Sequence, residues 1–337
     1  MKKSMRKAKL NKKHVLLKCV LQKTRFLRAA AFACVFLLFL GGCAGNTDTA
    51  DMSDADMDTA GNAGEEANEN EGSDTPPGEG WEIVEEENIP QQNAENTPAD
   101  TETTYLSILG DSISTFDDWI PEGYYDFYPM NGAVADVGQT WWKMVLDDTG
   151  MQLCVNGSSS GSTCAGDSTG TADPQHGCSD FRINGLTAAD GSIPDVIIVY
   201  MGTNDFIKAV PLGDNDGTRA VAEGSIENFS DAYCLILDKL HVRYPDAQIF
   251  CCKLMPVGVV GADMTYEPFV NEQGMTIDSY SRQIETIAAA KGYPLIDLEN
   301  CGMTMENMIQ YVSDGVHLNP EGMKLIRDAV EAVIAGN

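Results

Sequence analysis

The 337-residue sequence has few of the residues that build metal and nucleic-acid sites. It contains only four histidines, and its ten cysteines include no CxxC pair, so it lacks the ligand spacing of a zinc site. Basic residues are also scarce, because 22 Lys and Arg stand against 51 Asp and Glu, for a formal net charge of −29. A chain this acidic repels nucleic acid and other polyanions, and we therefore expect neither as a partner.

The sequence also lacks an apolar run long enough to cross a bilayer. Residues 29–40 are apolar without interruption, but this run is shorter than the roughly 20 residues that a transmembrane helix needs. It follows 28 residues that carry eleven Lys and Arg and no acid, which is the pattern of a signal peptide. Leu40-Gly41-Gly42-Cys43 ends the run and resembles the lipobox of bacterial lipoproteins, whose cysteine is lipidated. The sequence thus predicts a lipoprotein signal peptide over residues 1–42 and lipidation of Cys43, with an ordinary signal peptide or a short buried helix as alternatives.

Residues 44–103 contain eighteen Asp and Glu, no Lys or Arg, and only scattered hydrophobic side chains. Such a segment cannot bury enough apolar surface to fold, so we predict an acidic disordered tether over residues 43–103. A flexible coil of about 60 residues reaches roughly 40 Å. The prediction places the protein outside the cytoplasm, exported and lipid-anchored to the bacterial cell membrane, with membrane contact through the anchor only. A disordered leader without a spacing role is the alternative.

From residue 104 onward, short apolar runs alternate with longer segments whose apolar residues recur every three or four positions. That alternation is typical of a parallel sheet covered by helices on both faces. It predicts one α/β domain over residues 104–337 with a five-stranded parallel sheet. The predicted strands span residues 105–109, 153–155, 196–200, 248–252 and 295–297, and the predicted helices span residues 140–148, 226–244, 277–291 and 320–334.

Four polar blocks stand where predicted strands end or where the last helix begins. Gly110-Asp111-Ser112 follows the first strand, residues 156–163 follow the second, residues 202–205 follow the third, and residues 314–320 precede the last helix. Ligands of an open α/β sheet bind beyond the carboxyl ends of its strands, where these blocks should meet. In this order and spacing the blocks resemble the SGNH hydrolase family, also called GDSL-like esterases and lipases, over residues 104–337. The resemblance implies a three-layer αβα, flavodoxin-like fold.

The resemblance also implies Ser112 as a nucleophile, His317 as its base and Asp314 as the partner of that histidine. A serine hydroxyl needs a base to take its proton, and histidine can do so near neutral pH. A carboxylate three residues before His317 can set the imidazole tautomer. A helix-capping loop before Pro320 is the alternative interpretation of this block, and both roles can coexist. The remaining histidines lie in the signal peptide, in a loop and in a predicted helix: His14, His176 and His241.

Negative charge on the carbonyl oxygen of an ester needs hydrogen-bond donors that already point at it. The resemblance implies the backbone N–H groups of Ser112 and Gly161 and the side-chain amide of Asn204. Gly157 lies in the same block as Gly161 and is the alternative there, while turn chemistry is the alternative for Asn204. The neighbouring carboxylates, Asp111 and Asp205, are expected to be structural. Since these donors and a base supply the chemistry, we expect no metal and no organic cofactor.

The sequence therefore predicts an exported serine esterase that forms an acyl-enzyme intermediate. Export, an acidic surface, the lack of a long apolar lid and the family resemblance favour acyl-carbohydrate substrates, with removal of O-acetyl groups as the concrete hypothesis. The alternatives are a lipase, lysophospholipase or thioesterase, an acyltransferase, and a carbohydrate-binding domain without activity. Residues 116–129 are rich in aromatic side chains and either form a platform for sugar rings or pack against their own domain.

Seven cysteines follow Cys43, so at least one thiol stays free whatever the pairing. Cys164 and Cys178 flank a loop rich in small and polar residues and could form a disulfide in an oxidising compartment. Four of the others lie in apolar runs and are expected to pack as small hydrophobic side chains: Cys154, Cys234, Cys251 and Cys252.

Overall fold

The computed structural model of the protein describes residues 103–336. The predicted signal peptide, Cys43 and the predicted tether up to residue 102 lie outside the described residues. The strands of the described part are β1 (Tyr105–Gly110), β2 (Gln152–Asn156), β3 (Gly166–Asp167), β4 (Val196–Tyr200), β5 (Ser225–Ile226), β6 (Gln248–Cys252), β7 (Gly258–Val260), β8 (Tyr266–Pro268) and β9 (Leu295–Ile296). Its α-helices are α1 (Trp141–Thr149), α2 (Asp180–Asn184), α3 (Thr203–Ile207), α4 (Phe229–Arg243), α5 (Asp278–Lys291) and α6 (Pro320–Ile334).

The central sheet contains five parallel strands in the order β2-β1-β4-β6-β9. These are the five strands predicted from the sequence, and their ends differ from the prediction by one residue at most. The chain runs from β1 outward to β2 on one side and then to β4, β6 and β9 on the other, so the order reverses between β1 and β4. Ligands of such sheets bind beyond the carboxyl ends of the strands at this switch point. The predicted α/β fold is confirmed.

The core forms around the middle of the sheet. All five residues of β4 are buried, as are the last five of β1, because strands covered on both faces must be apolar throughout. Helix α1 packs against α6, and α4 packs against α5. Each helix buries its apolar face in part against the other helix of its pair. These four helices are the ones that the three- and four-residue spacing predicted.

Helix α6 begins as the sequence indicates. The side-chain oxygen of Asn319 accepts hydrogen bonds from the N–H groups of Glu321 and Gly322, both at 3.0 Å. Pro320 occupies the first helical position, where its missing N–H costs nothing. The helix start therefore anchors the end of the loop that carries His317.

Periodicity did not predict the shortest elements: the antiparallel pairs β3–β5 and β7–β8, and the helices α2 and α3. Each has only two to five residues, too few for a helical period, and none forms an uninterrupted apolar run like that of β4. They are held instead by contacts with distant chain, such as the 2.9 Å hydrogen bond from Ser168 N–H to Gly224 O. Within residues 103–336, no helix has both the length and the apolar character to cross a membrane.

Candidate active site

Ser112 begins a single 3-10 turn directly after β1. The Asp111 carboxylate caps this turn by accepting a hydrogen bond from the Ile113 N–H at 3.1 Å. The preceding position needs glycine, because a Cβ on Gly110 would lie 2.5 Å from Ser158 Oγ. Ser112 is 6% exposed, so the turn presents its hydroxyl at the carboxyl edge of the sheet in a largely dry environment.

The structure brings His317 to this hydroxyl. Its Nε2 lies 2.9 Å from Ser112 Oγ, and its Nδ1 lies 2.8 Å from Asp314 Oδ2. In the tautomer that carries its proton on Nδ1, the ring donates to Asp314 and leaves Nε2 free to accept the proton of Ser112. A hydroxyl and an imidazole 205 positions apart in the chain are thus joined, together with a carboxylate, in one hydrogen-bonded series.

Asp314 also shapes the loop around the histidine. Its Oδ1 accepts hydrogen bonds from the backbone N–H groups of Val316, at 3.0 Å, and His317, at 2.7 Å. Burial acts to raise the pKa of this carboxyl, but the hydrogen bonds and charge of His317 outweigh it and hold the pKa of Asp314 below its ordinary value. The loop is supported from outside by Gly258, at the start of β7, whose N–H donates to Gly315 O at 3.0 Å.

An aromatic ring covers the imidazole, although no motif pointed to it. Phe127 stacks on His317 with ring centroids 3.5 Å apart and an angle of 11° between the planes. The adjacent Tyr128 is fully buried, and its hydroxyl donates to Leu318 O at 2.9 Å. At this end of the aromatic-rich segment the rings pack against the loop that carries His317. The density of aromatic residues over 116–129 was the signal that could have found Phe127.

Tyr125, in the same segment, remains open to solvent with 56% of its surface exposed. Its backbone is fixed to the loop after β2, because the Ser160 N–H donates to Tyr125 O at 2.7 Å and the Tyr125 N–H donates to Ser159 Oγ at 3.2 Å. The exposed ring therefore belongs to the segment next to Gly161. The exposure of Tyr125 is compatible with a platform for sugar rings, one of the two alternatives for residues 116–129.

The structure distinguishes the two glycines of residues 156–163. The Gly157 N–H donates to Ile108 O at 2.8 Å, so it is already engaged by β1. Gly161 lies in the left-handed region with φ +76°, and within the described residues no acceptor pairs with its N–H or with that of Ser112. This availability favours Gly161 over Gly157 as a donor.

Asn204 lies in α3, directly after β4 and Gly202. Its side-chain Nδ2 is buried and has no hydrogen-bond partner among the described residues. Burying an amide donor without a partner costs about 1–3 kcal/mol, so an orphan of this kind calls for an explanation. An oxygen atom of a bound ligand would satisfy it. Within residues 103–336, all three donors implied by the resemblance are thus without an acceptor.

Asp205, next to Asn204, joins two of the polar blocks. Its carboxylate accepts hydrogen bonds from the N–H groups of Cys164, at 2.7 Å, and Ala165, at 3.1 Å. Burial raises the pKa of Asp205 to about 6, and it also raises the pKa of Asp111 to about 6. Both carboxylates bind backbone N–H groups, in agreement with their expected structural roles.

Arg182, on α2, is a buried link that no sequence pattern revealed. Its Nη2 donates to Gly110 O and to Gly157 O, both at 2.8 Å, and its Nη1 donates to Pro174 O. The side chain is fully buried and lies over the ring of Tyr124 at 5.4 Å from the centroid. One guanidinium therefore ties the turn that carries Ser112 to the start of the loop after β2.

Within residues 103–336, no group of His, Cys, Asp or Glu side chains is arranged to hold a metal ion. All seven cysteines of the described chain are free thiols. Cys164 and Cys178, which could have formed a disulfide, are neighbours through a 3.2 Å hydrogen bond from Cys178 N–H to Cys164 O, but they are not bonded. Burial raises the pKa of Cys178 to about 12, which disfavours its thiolate form.

Residues 104–257 match the model of a protein family described as GDSL-like Lipase/Acylhydrolase. The matched segment contains Ser112, Gly161 and Asn204 and ends before Asp314 and His317. No curated protein matches the chain.

Several solved structures share the fold. A proposed GDSL-like lipase from Bacteroides ovatus is 23% identical with a TM-score of 0.51, and the alignment covers 70% of this chain and 99% of that one. A proposed GDSL-like lipase from Bacteroides uniformis is 24% identical with a TM-score of 0.51, covering 70% and 97%. A proposed lipase from Chitinophaga pinensis is 19% identical with a TM-score of 0.50, covering 70% and 98%. At these identities the likeness establishes the fold alone.

Proposed function

We propose that this chain, whose GDSL-like lipase/acylhydrolase domain is supported by the family model and the shared fold, is a serine esterase with Ser112 as its nucleophile. One observation carries the proposal: Ser112 Oγ lies 2.9 Å from His317 Nε2, and His317 Nδ1 lies 2.8 Å from Asp314 Oδ2. A hydroxyl held by an oriented imidazole can lose its proton during attack on a carbonyl carbon.

In the acylation step, Ser112 Oγ attacks the ester carbonyl carbon while its proton passes to His317 Nε2. Asp314 keeps the imidazole oriented and stabilises the imidazolium that forms. When the tetrahedral intermediate collapses, the bond to the alcohol oxygen breaks, and the alcohol leaves with the proton from His317. The acyl group is then attached to Ser112 as an ester.

In the deacylation step, a water molecule replaces the alcohol. His317 takes a proton from the water while the water oxygen adds to the acyl carbon. The proton then passes to Ser112 Oγ as the bond between Oγ and the acyl carbon breaks, which releases the carboxylic acid. In both steps the charged carbonyl oxygen would bind the N–H groups of Ser112 and Gly161 and the amide of Asn204. Each such donor typically lowers the barrier by about 2.7–4 kcal/mol.

An O-acetyl group on a carbohydrate is the substrate that we propose. The exposed Tyr125 ring, fixed beside the loop of Gly161, supports it because an open aromatic ring can pack against a sugar ring. The excess of acidic residues supports a neutral rather than a polyanionic carbohydrate, since like charges would repel.

A lipase or thioesterase is the second candidate, and one observation favours it. The hairpin of β7 and β8 supports the catalytic loop and exposes Val259 by 44%, Val260 by 53% and Met264 by 72%. Apolar side chains exposed together suit a longer acyl chain. Hydrolysis rates of p-nitrophenyl acetate and p-nitrophenyl decanoate separate the two, because a preference for decanoate would rule out the acetyl esterase.

The test uses wild type, Ser112→Ala and, as a matched control, Ser225→Ala at the exposed residue of β5. We expect wild type and Ser225→Ala to release acetate from at least one of a panel of acetylated polysaccharides and to react with a fluorophosphonate probe, and Ser112→Ala to do neither. Folded wild type that does not react with the probe would contradict the proposal and favour a carbohydrate-binding domain. Acyl transfer to an added sugar that exceeds release to water would favour an acyltransferase.

We also propose that the chain is exported, lipidated at Cys43 and attached to its domain through residues 43–103. The support is the basic and apolar segment that precedes Cys43 and the acidic composition that follows it. Cells that express the full chain should incorporate labelled palmitate, and Cys43→Ser should lose the label. Cys34→Ser, inside the predicted signal peptide, is the control that should keep it. Equal labelling of both variants would refute lipidation at Cys43.

A further inference from the structure

Lys208 contacts both segments that supply the non-serine donors of the proposed site. Its Nζ donates a hydrogen bond to Gly161 O at 2.6 Å. Its backbone N–H, just after the end of α3, donates to Asn204 O at 2.9 Å. One residue therefore connects the loop of Gly161 with the helix of Asn204, although 47 positions of chain separate Lys208 from Gly161.

Among the lysines in the part of the chain that the structure describes, Lys208 is the one that forms no ion pair with a carboxylate; Lys239 also donates to two backbone carbonyls, but it pairs with carboxylates as well. The other five each have a carboxylate oxygen within 4.0 Å: Lys143 with Asp147, Lys239 with Asp180 and Glu223, Lys253 with Glu299, Lys291 with Asp238, and Lys324 with Glu321. Acidic partners are plentiful in this protein, with 51 Asp and Glu in the whole chain. Lys208 instead holds a backbone carbonyl next to the candidate oxyanion donors.

The backbone conformation of Gly161 depends on contacts with other residues. A glycine at φ +76° has access to many backbone conformations, so its own chain does not fix the direction of its N–H. The residue before it is tied by the Ser160 N–H to Tyr125 O at 2.7 Å, and the residue after it by the Ser162 N–H to Ser159 O at 3.3 Å. Gly161 O lies in the peptide unit that ends with the Ser162 N–H, and the Gly161 N–H lies in the unit before it, so the bond from Lys208 holds the carbonyl side of Gly161 and restricts the backbone rotation that would turn its N–H away.

We propose that Lys208 is a positioning residue that holds the Gly161 N–H in register with the amide of Asn204, so that both donors face the same carbonyl oxygen. The inference rests on the proposed function, because it assigns a role within that same site. Lys208 acts through Gly161 and has no required contact with the substrate. Removing its ammonium should therefore weaken binding of the transition state and leave binding of the substrate almost unchanged.

The test measures kcat and KM with p-nitrophenyl acetate, an uncharged ester, for wild type, Lys208→Met and Lys208→Arg. Lys324→Met, at an exposed ion pair on α6, is the matched control for loss of a surface lysine. We expect Lys208→Met to lower kcat about tenfold, a fraction of the effect of losing a whole donor, with KM within about twofold of wild type. Lys208→Arg keeps a cationic donor and should retain most of the activity, and Lys324→Met should match wild type. All variants should keep the wild-type unfolding midpoint, since Lys208 is exposed.

Two results would overturn the role of Lys208 and leave the proposed function standing, provided that wild type shows turnover that depends on Ser112. The first is Lys208→Met activity equal to that of Lys324→Met. The second is an unchanged kcat on p-nitrophenyl acetate combined with a raised KM only for esters that carry a carboxylate, which would make Lys208 a contact for anionic substrates. Wild type without any Ser112-dependent turnover would instead overturn the proposed function, and the role of Lys208 with it.

Discussion

The ring of Phe127 lies flat against the imidazole of His317, with centroids 3.5 Å apart and planes 11° from parallel. Asp314 holds the same imidazole at its edge, through the 2.8 Å contact with Nδ1. A hydrogen bond at one nitrogen still permits the ring to tilt, whereas a stacked neighbour restricts that tilt. The two contacts together aim Nε2 at Ser112.

Replacing Phe127 with leucine should lower kcat on p-nitrophenyl acetate by about tenfold, because a small misalignment of a catalytic base has a large effect on rate. KM should change little, since the stacked face does not bind the ester. Phe181→Leu removes a ring paired with Tyr124 at 5.6 Å and is the control for general loss of an aromatic contact. Equal kcat values in the two variants would mean that the stack has no positioning role.

Asp314→Asn should lower kcat by about 10⁴-fold, because an amide N–H facing His317 Nδ1 forces the proton onto Nε2, which can then no longer accept the proton of Ser112. The control is Asp190→Asn, since Asp190 accepts an N–H from two residues ahead at 2.9 Å, as Asp314 does at 3.0 Å, but lies in the loop before β4, at the opposite end of that strand from the site. Steady-state kinetics of the two variants give the comparison. Activity within tenfold of wild type in Asp314→Asn would remove Asp314 from the mechanism.

Asn204→Ala should separate activity from stability. Because the Asn204 Nδ2 is buried without a partner in the described structure, its removal should leave the free energy of unfolding unchanged or higher, while kcat falls about 10²–10³-fold. Asn271→Ala is the converse control: its Nδ2 donates to Phe206 O at 3.1 Å and its Oδ1 accepts two N–H groups, so stability should fall by about 1–3 kcal/mol with kcat nearly retained. Urea unfolding and kinetics on both variants check the pair. A large stability loss in Asn204→Ala would show that the amide is structural.

Asp205 should make stability depend on pH. Burial raises the pKa of this carboxyl from 3.8 to about 6 in the folded state, so the folded protein binds the proton more tightly than the unfolded chain does. Its contribution to stability is therefore greatest below about pH 4 and is lost as the pH rises through about 6, with a limit of roughly 3 kcal/mol. Asp205→Asn cannot titrate, so its stability should be lower at acidic pH, where it lacks one acceptor, and should fall less between pH 4 and 7. Urea unfolding at several pH values tests this, and parallel curves for wild type and variant would contradict the assigned pKa.

The fold was predictable to the extent that it depends on local pattern. The four long helices have enough residues to display a period, and the five strands of the sheet lie in short, mostly apolar runs that stand out from the segments around them. Short elements such as β3 and α3 have neither an apolar run nor enough residues for a helical period, and they were missed. Arg182 was missed for a related reason, because an isolated arginine has no neighbours in sequence that indicate what it will contact. The aromatic density of residues 116–129 marked the segment of Phe127, but not which ring would reach His317.

For the candidate site, the blocks around Ser112, Gly161, Asn204 and His317 could be recognised from their order in the sequence. Whether each N–H donor already has an acceptor could not be predicted in this way. Only the structure shows that the Gly157 N–H donates to Ile108 O, whereas the Gly161 N–H has no acceptor within residues 103–336. It also leaves both Cys164 and Cys178 as free thiols. These outcomes depend on which distant groups approach each backbone atom.

By itself, the sequence determined the type of sheet, the segments that build it and the residue types available for catalysis, because apolar periodicity and side-chain chemistry are properties of neighbouring residues. The tertiary structure alone decided that an imidazole from residue 317 would reach a hydroxyl at residue 112, that a phenyl ring would cover it, and that a lysine would bridge two donors. Side-chain contacts across 47 to 205 positions depend on how strands and helices pack, and that packing is set by the whole core together.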